Sequence, residues 1–217
     1  MSTGSLEAKA EFLFRLRARG IRDLAVLRAM EAVPRHVFVP HRYADLAAKD
    51  VALPLACGQT MAEPSAVARM MEGLAATPAC RILEIGSGSG YATAILARLG
   101  AEVLGVERFR TLSQGAQARL AGLGTVGATV VWGDGLAVPA DRGPFDRILI
   151  HAALGDVPAE VADLLAPGGT VVFGRAAGPG ARQELVAARR DGEGDWSFGP
   201  LGPCRLRPLY DGPSLGL

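Results

Sequence analysis

The residues best equipped for chemistry stand in a few short stretches. The densest is Arg81 to Tyr91, R-I-L-E-I-G-S-G-S-G-Y. An apolar run, Ile82 to Ile85, enters a turn carrying Gly86, Ser87, Gly88 and Gly90, and a helical pattern follows from Tyr91 to Leu99. A strand, a turn without side-chain bulk and a helix N-terminus let backbone approach a ligand closely. Glu84, just before the first glycine, would repel phosphate and suit a cation or an amine. Further on, Glu107 ends the next apolar run. It sits at the distance, about 20 residues past the turn, where a doubly wound fold places a carboxylate on ribose hydroxyls. Asp134, between Gly133 and Gly135, is either a plain turn residue or an acceptor for an adenine amino group. Upstream, the loop from Ala56 to Pro64 offers polar groups on Gln59 and Thr60 beside the flexible Gly58.

The glycine turn admits several readings. A phosphate-binding P-loop needs a Lys after its glycines, and none is present. A dinucleotide fingerprint needs G-x-G-x-x-G; Gly86 and Gly88 fit, but the third slot is Tyr91. The E/D-x-G-x-G-x-G turn of S-adenosylmethionine-dependent methyltransferases fits all the glycines and places Glu84 toward the cofactor's ammonium. A tight turn with no ligand is the remaining alternative.

The elements that must position these residues read as follows. Leu6 to Arg19 forms an amphipathic helix with Leu6, Ala10, Leu13 and Phe14 on its apolar stripe, ended by Gly20. Asp23 caps a second helix through Met30, with Leu24, Leu27 and Met30 on one side. V-P-R-H-V-F-V-P at 33–40 is framed by prolines and is expected to be extended, as is Asp50 to Leu55. Pro64 suits the first turn of a helix whose stripe is Val67, Met70, Met71 and Leu74. Core strands are expected at 82–85, 101–107, 128–132, 147–150 and 170–173. Helices follow the first two, and a short one spans Val161 to Leu165 before an Ala166–Gly169 turn. Gln183 to Arg189 and Cys204 to Leu209 are expected as further strands, joined by a hairpin around Asp191 to Asp195. Alternating strands and helices imply an α/β fold with a mostly parallel doubly wound sheet. The last two strands lack a helix between them, so one of them should be antiparallel. The chain divides into an N-terminal part, 1–78, and a core, 79–217, forming one compact unit.

Composition narrows the function classes. Net charge is +1 over 217 residues, so there is no global electrostatic case for nucleic acid. No apolar run reaches the roughly 20 residues of a membrane span. The N-terminus has no signal-peptide core. Cys57, Cys80 and Cys204 are scattered and odd in number, and the three histidines have no ligand spacing. The expectation is a cytoplasmic protein with no metal and no disulfide framework, and a monomer.

Several stretches together carry a resemblance. V-P-R-H-V-F-V-P at 33–40, D-V-A-L-P-L at 50–55, G-Q-T-M-A-E-P at 58–64 and L-E-I-G-S-G-S-G-Y-A-T-A at 83–94 match one family; so do W-G-D-G at 132–135, P-F-D-R-I-L-I at 144–150 and L-A-P-G-G-T-V-V at 165–172. The chain resembles bacterial protein-L-isoaspartate O-methyltransferases over most of its length. The resemblance implies a seven-stranded Rossmann-like methyltransferase fold with an N-terminal helical addition. It implies methyl transfer from S-adenosylmethionine to the α-carboxylate of L-isoaspartyl residues in damaged peptides, whose ester then cyclises to a succinimide. Glu84, Gly86, Gly88 and Gly90 would hold the methionine part of the cofactor, with Ser87, Arg108 and His151 as further cofactor-binding residues. Glu107 would hold ribose, and Asp134 with Gly135 adenine. Gln59, Thr60 and Ala62 would cover the methyl group and meet the substrate carboxylate.

The chain departs from the family pattern at Ala62, where the pattern has a serine whose hydroxyl binds that carboxylate. It departs again at His151, where a small polar residue is more usual; the imidazole either faces the cofactor pocket or caps the strand end. The alternatives to isoaspartyl repair are a relative acting on another carboxylate and a weakened S-adenosylmethionine-binding homologue. Amino methylation of nucleic acid is disfavoured, because the fourth core strand ends Ile150-His151-Ala152-Ala153 and not in [DN]-P-P-[YFW].

Overall fold

A computed structural model describes residues 3–100, 102–178, 180–190 and 194–214. Helices α1 (Thr3–Ala18) and α2 (Leu24–Ala32) open the chain. Gly20, at φ +94°, turns the backbone between them. Asp23 caps α2 as expected, its Oδ1 accepting from the N–H groups of Ala25 at 2.7 Å and Val26 at 3.0 Å. Glu72 of α3 (Pro64–Leu74) accepts from the N–H groups of Arg22 and Asp23, both at 2.7 Å, and so ties this cap to α3. The α3 stripe of Val67, Met70, Met71 and Leu74 is buried.

The apolar stripes of the first two helices differ from expectation. Phe14 is 74% and Leu24 55% exposed, whereas Leu16 and Val26 are buried. Each apolar run spreads over more than one helix face, and only the face toward the core is covered. The 33–40 segment is not extended: Arg35–Phe38 form a 3-10 turn between the two prolines. A spacing of three puts Arg35 and Phe38 on the same side of such a turn, and both are buried.

Strands β1 (Leu53–Pro54) and β2 (Thr60–Met61) form a small antiparallel hairpin, pairing Leu53 with Met61 and Pro54 with Thr60. The main sheet contains β3 (Arg81–Ile85), β4 (Glu102–Glu107), β5 (Ala128–Trp132), β6 (Phe145–Leu154), β7 (Leu165–Arg175), β8 (Gln183–Arg190) and β9 (Trp196–Cys204), in the order β5-β4-β3-β6-β7-β8-β9. Pairs from β5 to β7 are parallel, and β8 is antiparallel to both β7 and β9. Helices α4 (Tyr91–Arg98), α5 (Arg110–Gly122) and α6 (Ala159–Ala162) complete the core.

Alternate strand residues enter two apolar clusters. Ile82, Leu149 and Val172 face the helices α1 to α5, and Leu83, Ile148 and Val171 face the opposite side. Among the described residues that second side is covered by α6 and by loop residues such as Leu136 and Val138.

Several boundaries differ from the sequence reading: α1 starts at Thr3, α2 runs to Ala32, only Leu53–Pro54 of the 50–55 segment is strand, and β6 extends over Phe145–Leu154. The short helix begins and ends earlier, as α6, and β7 already starts at Leu165. The Ala166–Gly169 turn falls inside β7 as a register shift between the pairs Phe145–Leu165 and Arg147–Thr170. The last strand is Trp196–Cys204 and not Cys204–Leu209. It contains Pro200 and Pro203, which an edge strand tolerates because one side needs no ladder donors. Ala101, residues 191–193 of the expected hairpin and the side chain of Leu6 lie outside the described part of the chain. No helix among the described residues is long and apolar enough to cross a membrane.

Candidate active site

The strand order fixes where a ligand can enter. From β3 the chain goes outward to β4 and β5, then crosses back to β6 on the other side of β3. Loops leave β3 and β6 in opposite directions there and open a crevice at the strands' C-terminal ends. A cleft of about 730 Å³ occupies this place. Its floor is the glycine turn, Gly86 to Ser89, with Glu107 on one side and His151 on the other. The β1–β2 hairpin loop, Gln59 to Glu63, forms one wall, and the chain after β9, Arg205 to Tyr210, forms another.

The floor is shaped by backbone conformation. Gly86 and Gly88 have φ +83° and +55°, where glycine alone is unstrained. A Cβ on Gly86 would stand 3.4 Å from the His151 Cβ, and one on Gly88 would stand 3.5 Å from Leu55, so side chains there would fill the cleft floor. Ser87 is buried, and its Oγ has no hydrogen-bond partner among the described residues. Gly90 does not line the cleft. It opens α4 at φ +86°, and a Cβ there would come within 3.1 Å of Ala116 on α5.

Glu107 is 4% exposed and anchors the floor. Its Oε2 accepts the Gly88 N–H at 2.8 Å, and its Oε1 accepts the Phe109 N–H at 2.9 Å. Two acceptor sites of about four are thereby used, leaving room for two hydroxyl donors. Burial raises its pKa above the usual carboxylate value; the N–H bonds of Phe109 and Gly88 oppose this, Glu84 adds to it and His151 opposes it.

Glu84 stands behind the floor and not in it. Strand alternation turns it toward α4, fully buried, where one oxygen accepts the Thr93 hydroxyl and the other lies 2.9 Å from His151 Nε2. His151, whose side chain is 16% exposed, therefore separates Glu84 from the cleft and is itself held by it.

Asp134 and Gly135 also lie outside the cleft lining. Asp134 Oδ1 accepts from Leu136 N–H at 2.9 Å and Oδ2 from Gly212 N–H at 2.8 Å, so the carboxylate closes a turn and pins the C-terminal tail. Gly135 is required by packing, since a Cβ would meet Ile85 Cγ2 at 2.3 Å. Arg108 lines the cleft, but its guanidinium donates to the carbonyls of Gly212 at 3.1 Å and Asp211 at 3.3 Å.

The hairpin wall depends on a residue the sequence reading passed over. Arg35 is 5% exposed, and its guanidinium donates to the carbonyls of Ala47 (3.1 Å), Lys49 (3.2 Å), Val51 (3.0 Å) and Ala62 (3.1 Å). One side chain thus gathers four backbone points across the segment that leads into the hairpin and the residue that leaves it. Burial lowers its pKa, and Tyr91, Asp50 and Glu63 act the other way. Within the loop, Gln59 Nε2 donates to the Cys57 carbonyl at 3.0 Å, Thr60 is exposed and Ala62 is half-buried, its methyl group offering no donor. Cys57 sits at φ +56°, and burial, with Glu107 adding to it, pushes its thiol pKa up, away from the reactive thiolate.

Arg35 lies in the V-P-R-H-V-F-V-P stretch that carries the family resemblance, but nothing local there shows its distant partners. The tail from Arg205 onward carried no local signal, because its place is set by single long-range bonds such as Ala153 N–H to Arg207 carbonyl at 2.7 Å.

A seven-stranded sheet with a glycine floor at its switch point, a buried carboxylate at the end of β4 and a helical cap defines the class: a Rossmann-like, S-adenosylmethionine-dependent methyltransferase fold. Within that class the chain belongs to the protein-L-isoaspartate(D-aspartate) O-methyltransferase family, whose model matches residues 7–213. It is 48% identical over 205 residues to protein-L-isoaspartate O-methyltransferase 2 of Rhodopseudomonas palustris, covering 94% of this chain and 93% of that one. It is 50% identical over 178 residues to the protein-L-isoaspartate O-methyltransferase of Xanthobacter autotrophicus, covering 80% and 81%. In fold it is similar to a Plasmodium falciparum protein described as a protein-L-isoaspartate O-methyltransferase in complex with S-adenosyl-L-homocysteine, with TM-score 0.77 at 22% identity over 92% of this chain and 97% of that one.

Proposed function

We propose that the cleft transfers a methyl group from S-adenosylmethionine to the carboxylate of L-isoaspartyl residues in damaged peptides and proteins. The observation that carries this reading is the joint geometry of the open glycine floor, the anchored Glu107 and the hairpin wall held over them by Arg35. The glycine floor fits the methionine part of the cofactor, because every Cβ it lacks would stand in that space. Glu107 would hold the ribose hydroxyls with its two free acceptor sites. His151 would border the methionine part, backed by Glu84. Asp134 and Gly135 would act on the adenine end indirectly, by fixing the tail and the packing under it.

When bound, the cofactor supplies a methyl group on a sulfonium sulfur, which a carboxylate oxygen takes by displacement to leave a neutral thioether. An isoaspartyl carboxylate is already ionised at neutral pH, so the chain need not provide a general base. Its residues orient and exclude water. Gln59 and Thr60 line the wall that would meet the carboxylate, and the hairpin's backbone N–H groups would be donors where Ala62 has none. Losing one hydroxyl donor to a charged acceptor costs about 1.5–3 kcal/mol, or roughly ten- to a hundredfold in rate if nothing compensates.

Three coarser assignments accompany this. The chain divides at about residue 78 into a covering part and a core that act as one unit. It works as a monomer. Its three free cysteines agree with a reducing cytoplasm. Chromatography tests the central assignment: an isoaspartyl peptide incubated with the protein and S-adenosylmethionine should convert in part to its aspartyl form, and persistence of the isoaspartyl peptide at high enzyme concentration would refute it.

A further inference from the structure

The wall formed by the chain after β9 has a property that methyl transfer alone does not require. Leu206 is fixed there on both sides of its backbone. Its N–H donates to Gln183 Oε1 at 2.6 Å, and its carbonyl accepts from Gln183 Nε2 at 3.0 Å. The next carbonyl, of Arg207, accepts the Ala153 N–H at 2.7 Å. The Leu206 side chain packs against the core. Arg205 and Arg207, two residues apart on a pinned backbone, both line the cleft and both are exposed.

Neither guanidinium has a hydrogen bond or an ion pair among the described residues. This separates them from the other cleft arginine, Arg108, which is spent on tail carbonyls and stacks on Tyr210 at 5.5 Å. The acidic residues of the lining do not neutralise the pair either. Glu107 is buried and taken up by backbone N–H groups, and Glu63 makes no salt bridge among the described residues. Two free guanidinium groups on a fixed backbone at a cleft mouth are a ready site for carboxylate, whose planar geometry matches the guanidinium fork.

The reacting carboxylate must sit deep, over the glycine floor. Arg205 and Arg207 stand exposed at the rim. We infer that they are specificity-determining residues which bind acidic side chains next to the isoaspartyl residue, so that the enzyme favours damaged sites in acidic sequence. The inference rests on the cleft being the site of peptide methylation.

The test uses full-length protein and three isoaspartyl hexapeptides, with the isoaspartyl residue flanked on both sides by Asp, Ser or Lys. Wild type should show kcat/KM for the Asp peptide about tenfold above that for the Lys peptide, a preference that shrinks as salt is raised. The double variant Arg205→Gln/Arg207→Gln should lose that preference while turning over the Ser peptide within about twofold of wild type. Because both positions are exposed, the variant retains its fold. An equal loss on all three peptides would overturn the inference by placing the pair on the reacting carboxylate or in the scaffold. A wild-type preference for Lys, or none, would also overturn it. Turnover of the neutral peptide by both proteins establishes the underlying activity independently of flank preference.

Discussion

Replacing Arg35 with Met separates the hairpin wall from the cofactor floor. Met fills much of the same space against Tyr91 and supplies no donor. Four carbonyls lose a charged partner, but only the bond to Ala47 is fully buried; those to Lys49, Val51 and Ala62 are part-buried and open to water. A hydrogen bond to a charged group is worth about 1.5–3 kcal/mol, so one full loss and three partial ones sum to about 3–5 kcal/mol. For a domain of this size each kcal/mol moves Tm by about 2–4 °C, which gives a fall of about 6–20 °C. Function should divide. Glu107 and the glycine turn do not touch Arg35, so the Kd for S-adenosylhomocysteine, measured by calorimetry well below the melting range, should stay within about twofold. The hairpin that meets the substrate loses its anchor, and kcat/KM for an isoaspartyl peptide should drop more than about tenfold, since catalysis by orientation is sensitive to small displacements. A cofactor affinity that falls in step with activity would refute the division of labour. So would activity that survives a large fall in Tm.

Other perturbations address the floor and the loop. Glu107→Gln places an amide donor against one of two backbone N–H groups and should weaken S-adenosylhomocysteine binding by about ten- to a hundredfold in calorimetry. The raised pKa of Glu107 also has a stability consequence. The folded state binds this proton more tightly than the unfolded state, so the associated stability is present below the usual carboxylate value and is lost as pH rises through the folded value. The Tm difference, Glu107→Gln minus wild type without cofactor, should therefore grow more positive from pH 4 to pH 7; a flat difference would contradict the burial of the charge. Ala62→Ser restores a hydroxyl in the wall and should raise kcat/KM for isoaspartyl peptide by up to about tenfold, with unchanged cofactor Kd; a loss of activity would mean the wall has adapted to the methyl group. Gly135→Ala drives a Cβ into Ile85 and should cost about 1–3 kcal/mol in denaturant unfolding.

The sheet and its glycine floor were legible because they rest on local signals. Alternation of apolar runs with helical patterns gave β3 to β6 within a few residues, and the positive-φ turn had to be glycine. Glu107 was legible by spacing. Glu84 and Asp134 were legible as acids at strand ends but not in their direction. Alternation turns Glu84 under the sheet to Thr93 and His151, and Asp134 is captured by Gly212, some eighty residues later. Arg35 and the Arg205–Arg207 wall escaped for the same reason: their places are set by partners distant in sequence, which no local pattern encodes. The proline-framed 33–40 segment misled because prolines at its ends fit a 3-10 turn as well as an extended strand.

The central claim is that this cleft, with Ala62 in its wall, methylates isoaspartyl carboxylates. The most direct measurement is incorporation of labelled methyl from S-adenosylmethionine into an isoaspartyl peptide and into its aspartyl twin, under identical conditions. The account predicts label in the isoaspartyl peptide as a base-labile ester, with little in the twin. Equal labelling of both peptides, or none above background in the isoaspartyl one, would contradict it.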